Sequence, residues 1–117
     1  MIPTSPIYAK RIQMRAQDAV KRIGEKPASV VFRRANGTTL AAQTVRLELD
    51  NRASLSTSTA GSAPRMGVIV YGIRGHATLP DTDMKEGYRF NYGADAYRIE
   101  DIILQSGEIQ GIAVATG

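Results

Sequence analysis

Apolar residues recur at three- and four-residue intervals through Tyr8, Ile12, Ala16, Ala19 and Ile23. That period puts them on one stripe and predicts a helix over residues 5–24. Ser5 offers an N-capping hydroxyl, Pro6 suits a first helical position, and Gly24 can end the helix in a left-handed turn. After Lys26-Pro27 the period falls to two. A strand is expected over Ser29–Arg34, where Val30, Val31 and Phe32 are strand formers in a row, and Asn36-Gly37 is a hairpin signal. Val45, Leu47 and Leu49 alternate with polar neighbours, which predicts a half-buried antiparallel strand over Thr38–Asp50.

Strands resume at Met66. The run Gly67–Ile73 is apolar on both faces, as in a central strand or one whose second face meets another subunit. Ile69, Tyr71 and Ile73 share one face of it and are the candidate subunit contacts. A polar turn is expected over Leu79–Gly87, then a strand with Tyr88, Phe90 and Tyr92 on one side. In the strand after Gly93-Ala-Asp95, Tyr97 and Ile99 lie on one face, while Ile102 and Leu104 lie on the other. One extra residue near Glu100-Asp101 would swap the faces, so a β-bulge is expected there. A last strand covers Ile109–Ala115. The pattern predicts a mainly β chain in a single domain, residues 1–117. It is a small antiparallel barrel or sandwich of six to seven strands with one N-terminal amphipathic helix, its β-core at 28–50 and 66–115.

Residues 51–65 break the pattern. Serine, threonine, alanine, glycine and proline dominate, and Leu55 is the one strongly apolar residue. Such a composition buries too little to offset its own ordering, so a flexible loop is expected, one that can order on a partner. Asn51, Arg52, Leu55 and Arg65 are its candidate contacts.

The 117 residues carry 43% apolar and 22% charged side chains and a net charge of +4. The charge is one-sided: residues 1–36 hold eight basic and two acidic residues, and the remainder is slightly acidic. On a helical wheel Lys10, Arg11, Lys21 and Arg22 fall opposite the apolar stripe, with Arg15 at its border. This basic face is a candidate for a partner protein or for DNA phosphates. No cysteine is present, so thiolate chemistry is excluded, and the single histidine, His76, excludes a multi-histidine site within one chain. Asp81-x-Asp83 starts like a calcium loop, but Glu86 and Tyr92 stand where a glycine and a bidentate acid are needed. No nucleotide-binding glycine loop and no nucleophile elbow occur. Neither catalysis nor a cofactor is expected. No apolar run reaches the roughly 20 residues of a membrane span, and Met1–Tyr8 lacks a basic region leading an apolar core. A soluble, cytoplasmically made protein is expected.

The stretch Asp83-Met-Lys-Glu-Gly-Tyr-Arg-Phe-Asn-Tyr-Gly-Ala-Asp-Ala-Tyr-Arg-Ile99 resembles a pattern of tailed-phage neck proteins. A glycine precedes a short strand, a glycine turn follows, and an aromatic-x-hydrophobic strand comes next. Gly87, Phe90, Gly93, Tyr97 and Ile99 are the matching positions. In length and element order, over residues 7–115, the chain is similar to the lambda-type head–tail joining (head-closure) proteins. The resemblance implies a small β-barrel in the virion neck. It would assemble as a homo-oligomeric ring between the portal or upstream connector and the tail terminator or tube, with DNA passing through non-specifically. It also implies a loop that orders on assembly, matched by Asn51–Arg65, and no catalytic residues. The alternative is a small nucleic-acid-binding barrel, with Tyr88, Phe90 and Tyr92 as a stacking platform.

Overall fold

The computed structural model describes residues 6–49 and 67–116, with the side chains of the first helical turns excepted (6–10 and 12). The expected cap at Ser5, the stripe positions Tyr8 and Ile12, the side chain of Lys10 and the whole expected loop 51–65 lie outside the described residues.

The 3.6-residue period does form a helix, α1, Pro6–Glu25. Six strands follow: β1 Ala28–Val30, β2 Gln43–Leu49, β3 Gly67–Ile73, β4 Arg89–Tyr92, β5 Asp95–Gln105 and β6 Glu108–Ala115. They make one antiparallel sheet in the order β1-β2-β3-β6-β5-β4. The sheet curls until its two ends meet. Arg33, just past β1, pairs with Arg89 of β4 through Arg33 N–H to Arg89 O (2.7 Å) and Arg89 N–H to Arg33 O (2.9 Å). The result is a nearly closed barrel rather than a sandwich.

Alternation along each strand fills the interior. Phe32, Val45, Leu47, Val68, Val70, Phe90, Tyr97, Ile99 and Ala113 form the core, with Phe90 at its centre. The Phe90 ring meets Phe32 edge-on at 5.6 Å and stacks on Tyr97 at 5.4 Å, pairings that add to the burial of area itself. The expected bulge is present. Ile99 pairs with Ala113 and Asp101 with Ile112, so Glu100 is the extra residue. Beyond it Ile102 and Leu104 pair with Gly111 and Ile109, and Ile102 packs on the core.

Three sequence expectations need correction. The strand expected over Ser29–Arg34 stops at Val30, and the one expected from Thr38 starts only at Gln43. The chain between forms the Asn36-Gly37 hairpin tip, held by a single bridge between Arg33 and Thr39 and by Leu40 N–H to Phe32 O at 2.9 Å. Propensity there was local, but Arg33 is shared between its own hairpin and β4, which ends the regular ladder. The segment 79–87 is also more than a turn. The Thr82 N–H donates to the Ile73 carbonyl at 3.0 Å, and the Thr82 hydroxyl accepts from the Ile73 N–H at 3.0 Å. Met84 is buried in the core cluster and plugs one barrel end. A lone methionine in a polar run has no period to betray it.

Candidate functional site

Helix α1 lies across the outer face of β2, β3 and β6. Among its described side chains Ala16, Ala19 and Ile23 are buried. Small alanines let it come close. At Gly107, in the β5–β6 turn, an added Cβ would stand 2.4 Å from the Ala16 backbone nitrogen. The apolar second face of β3 is thereby explained. Ile69 is buried and Tyr71 and Ile73 half-buried on the face of β3 that the helix covers. Of the two readings of this strand, the central one holds: β3 sits between β2 and β6.

A polar clamp fixes the C-terminal half of the helix. Arg22 Nη1 donates to Glu108 Oε2 at 2.7 Å, and Glu108 is almost wholly buried, with a side chain 9% exposed. Gln110 donates to the other Glu108 oxygen. Arg46, from β2, donates to the Arg22 carbonyl (3.2 Å) and pairs with Glu48 (2.8 Å) and more distantly with Glu25 (3.7 Å). The Tyr71 hydroxyl lies within this cluster. Burial pushes its pKa above the usual value, helped by the charge of Glu48, by a hydrogen bond to Glu48 and by Glu108, against Arg22. Arg22, whose side chain is 47% exposed, thus lies on the helix surface and pairs with Glu108. Arg11, Arg15 and Lys21 remain exposed.

A second cationic group escaped the sequence reading. Arg33, Arg89 and Arg98 come from three separate segments. Arg33 pairs with Arg89 across the closure, and Arg89 pairs with Arg98 across β4–β5. Their neighbours Phe32, Phe90, Tyr97 and Ile99 point inward and are buried, so the three arginines share the outer surface. The strand order puts this row on the side of the barrel away from α1. Only the register reveals it, because positions 33, 89 and 98 share no spacing.

Exposed apolar side chains stand at both barrel ends, besides Met14 on α1 and Val31 just past β1. Leu49 (71% exposed) and Tyr92 (48%) rim the end where the chain leaves β2 and re-enters β3. Leu104 (58%) and Ile103 lie at the far end of β5. A groove of about 410 Å³ runs between α1 and the 79–82 segment, walled by Val20, Ile23, Ile73, Leu79 and Pro80.

Strand alternation favours packing of the Tyr88, Phe90 and Tyr92 face into the core over a stacking platform, and two of the three do pack there. Tyr88 and Phe90 are core residues, and only Tyr92 is exposed. Asp81 accepts from the Gly75 N–H at 2.8 Å, building a turn, and His76 Nδ1 accepts from the Thr78 and Leu79 amides at 3.1 Å. Among the described residues no group of three or more His, Asp or Glu could hold a metal ion, and no helix is long and apolar enough to cross a membrane. No family model, curated protein or solved structure matches the chain.

Proposed function

We propose that this chain is a structural protein of a tailed-phage neck, forming a homo-oligomeric ring that joins the portal side of the head to the tail around the exiting DNA. The observation that carries the reading is the pair of unlike apolar patches at opposite barrel ends, Leu49 with Tyr92 and Ile103 with Leu104. A head-to-tail contact needs two different surfaces on each copy, and such contacts make rings when their rotation closes. The hairpin built from the residues that carry the resemblance supports the reading. Gly87 precedes β4, Gly93 turns into β5, and Phe90 faces Tyr97 across the ladder.

In this reading the segment 51–65 docks on a neighbouring subunit or tail protein, with Asn51, Arg52, Leu55 and Arg65 as contacts. The exposed helix cations Arg11, Arg15 and Lys21 face the upstream connector. The test is a joining assay with filled heads that lack this protein. The chain should restore joining, whereas a chain deleted for Ala53–Pro64 should fold and yet fail to join. Normal joining by the deleted chain would remove the loop from the mechanism, and no joining by the intact chain would remove the function.

A further inference from the structure

We infer that the arginine row at the barrel closure, Arg33–Arg89–Arg98, is a contact surface for the phosphate backbone of a nucleic acid. The inference stands without the ring, because every single copy carries the row.

The row costs the fold something and returns little to it. Like charges placed directly opposite on adjacent strands repel. Here two such pairs lie side by side, Arg33 against Arg89 and Arg89 against Arg98. Adjacent strands are about 4.8 Å apart, so the three Cα atoms fall within about 10 Å. Their local partners are few. Arg98 donates to Glu100 from Nε at 3.2 Å and Nη2 at 2.6 Å. Arg33 donates to the neutral Asn91 amide oxygen at 3.3 Å, which orients its guanidinium without neutralising it. Among the described residues, no ion pair includes Arg33 or Arg89. The closure itself is made by backbone groups, which any residue would supply. Among the described residues one carboxylate, Glu100, therefore pairs with the three guanidiniums, with exposed Arg34 close by in the hairpin.

The chemistry of the missing partner follows from the type of cation and its setting. Guanidinium forks match phosphate oxygens in a planar, bidentate way. An acidic protein partner would want apolar anchors amid the charges, as protein interfaces have. Among the described residues Val31 is the exposed large apolar side chain next to the row, while Leu49, Tyr92, Ile103 and Leu104 lie at the barrel ends and Met14 lies on α1. Binding here would be carried by charge, which is the sequence-blind, counterion-releasing mode of phosphate-backbone contact.

The test uses the intact chain with a short duplex and a short single-stranded DNA, titrated by fluorescence anisotropy between about 50 and 200 mM salt. Arg33→Gln/Arg89→Gln should weaken binding about tenfold or more at low salt and reduce the salt slope by about two. Arg89→Lys, which keeps the charge and loses the fork, should fall between. The control Arg11→Gln/Lys21→Gln, on the other side of the barrel, should lose less. Thermal melts keep the result interpretable: relief of repulsion should leave the double variant at least as stable as the parent. Arg89→Gln alone serves if the double variant does not fold. The inference is overturned by any of four results: no DNA binding at the lowest salt, unchanged affinity in the seam variants, a larger loss in the helix control, or tighter binding to poly-glutamate than to DNA.

Discussion

Replacing Gly107 by alanine tests whether α1 is seated by close backbone approach. Gly107 sits at φ 78° in the turn between β5 and β6, in the left-handed region that L side chains rarely adopt. The new methyl would stand 2.4 Å from Ala16 N, 2.5 Å from Arg15 C and 2.6 Å from Arg15 Cβ. Ordinary carbon contacts are about 3.5–4.0 Å, so the helix must back away by about 1 Å or more. The conformational cost is about 1–2 kcal/mol and the overpacking cost about 1–3 kcal/mol. Backing away also uncovers Ala16, Ala19 and Ile23 and stretches the Arg22–Glu108 pair. A total of roughly 2–5 kcal/mol lowers Tm by roughly 8–20 °C for a domain of this size. Gly93→Ala is the control. Its φ is also positive, at 63°, but nothing lies within 4 Å of the added carbon. It should lose only the conformational share, roughly 4–8 °C. Hydrogen exchange then locates the damage: amides of residues 16–25 should lose protection in Gly107→Ala while β3 and β6 keep theirs. Equal Tm losses in the two variants, with unchanged helix protection, would refute the reasoning.

Two further outcomes follow from the core and the clamp. Phe90→Ala removes the ring that joins Phe32 to Tyr97 and should cost about 3–5 kcal/mol, read as a lower urea midpoint. A near-neutral result would mean that the barrel interior can collapse around the gap. Tyr71 is held protonated above its ordinary pKa of 10.0 by burial and by Glu48. The folded chain then binds more protons than the unfolded one above about pH 10, so stability is intact below that value and falls as pH rises through the folded pKa. Tyr97, raised mainly by burial, adds to the same trend. Urea titrations on either side of pH 10 should show the fall, and Tyr71→Phe should flatten it; an unchanged slope in that variant would acquit Tyr71.

What was legible in the chain was periodic. The helix, the hairpin at Asn36-Gly37 and the bulge at Glu100 each leave a local mark: a 3.6 repeat, a turn dipeptide, a slip of parity. What was not legible depends on who sits next to whom in space. Arg22 reads as one more cation on a polar face until Glu108, 86 positions away, closes on it. Met84 reads as part of a turn until the barrel end needs a plug. The arginine row appears only once β4 is laid against both β5 and the chain after β1. Sequence pattern encodes faces, whereas sites such as these are encoded in register.

The barrel's closure has a kinetic side. β4–β5 and β5–β6 are joined by tight turns, so their pairing needs little chain to be gathered. The Arg33–Arg89 bridge instead shuts a loop of nearly half the sequence for two backbone hydrogen bonds. Loop-closure entropy makes it a late event in folding and an early one in opening. The line along β1 and β4 is accordingly where the sheet can part without dissolving. Whatever grips Arg33 and Arg89 from outside would also hold that line shut.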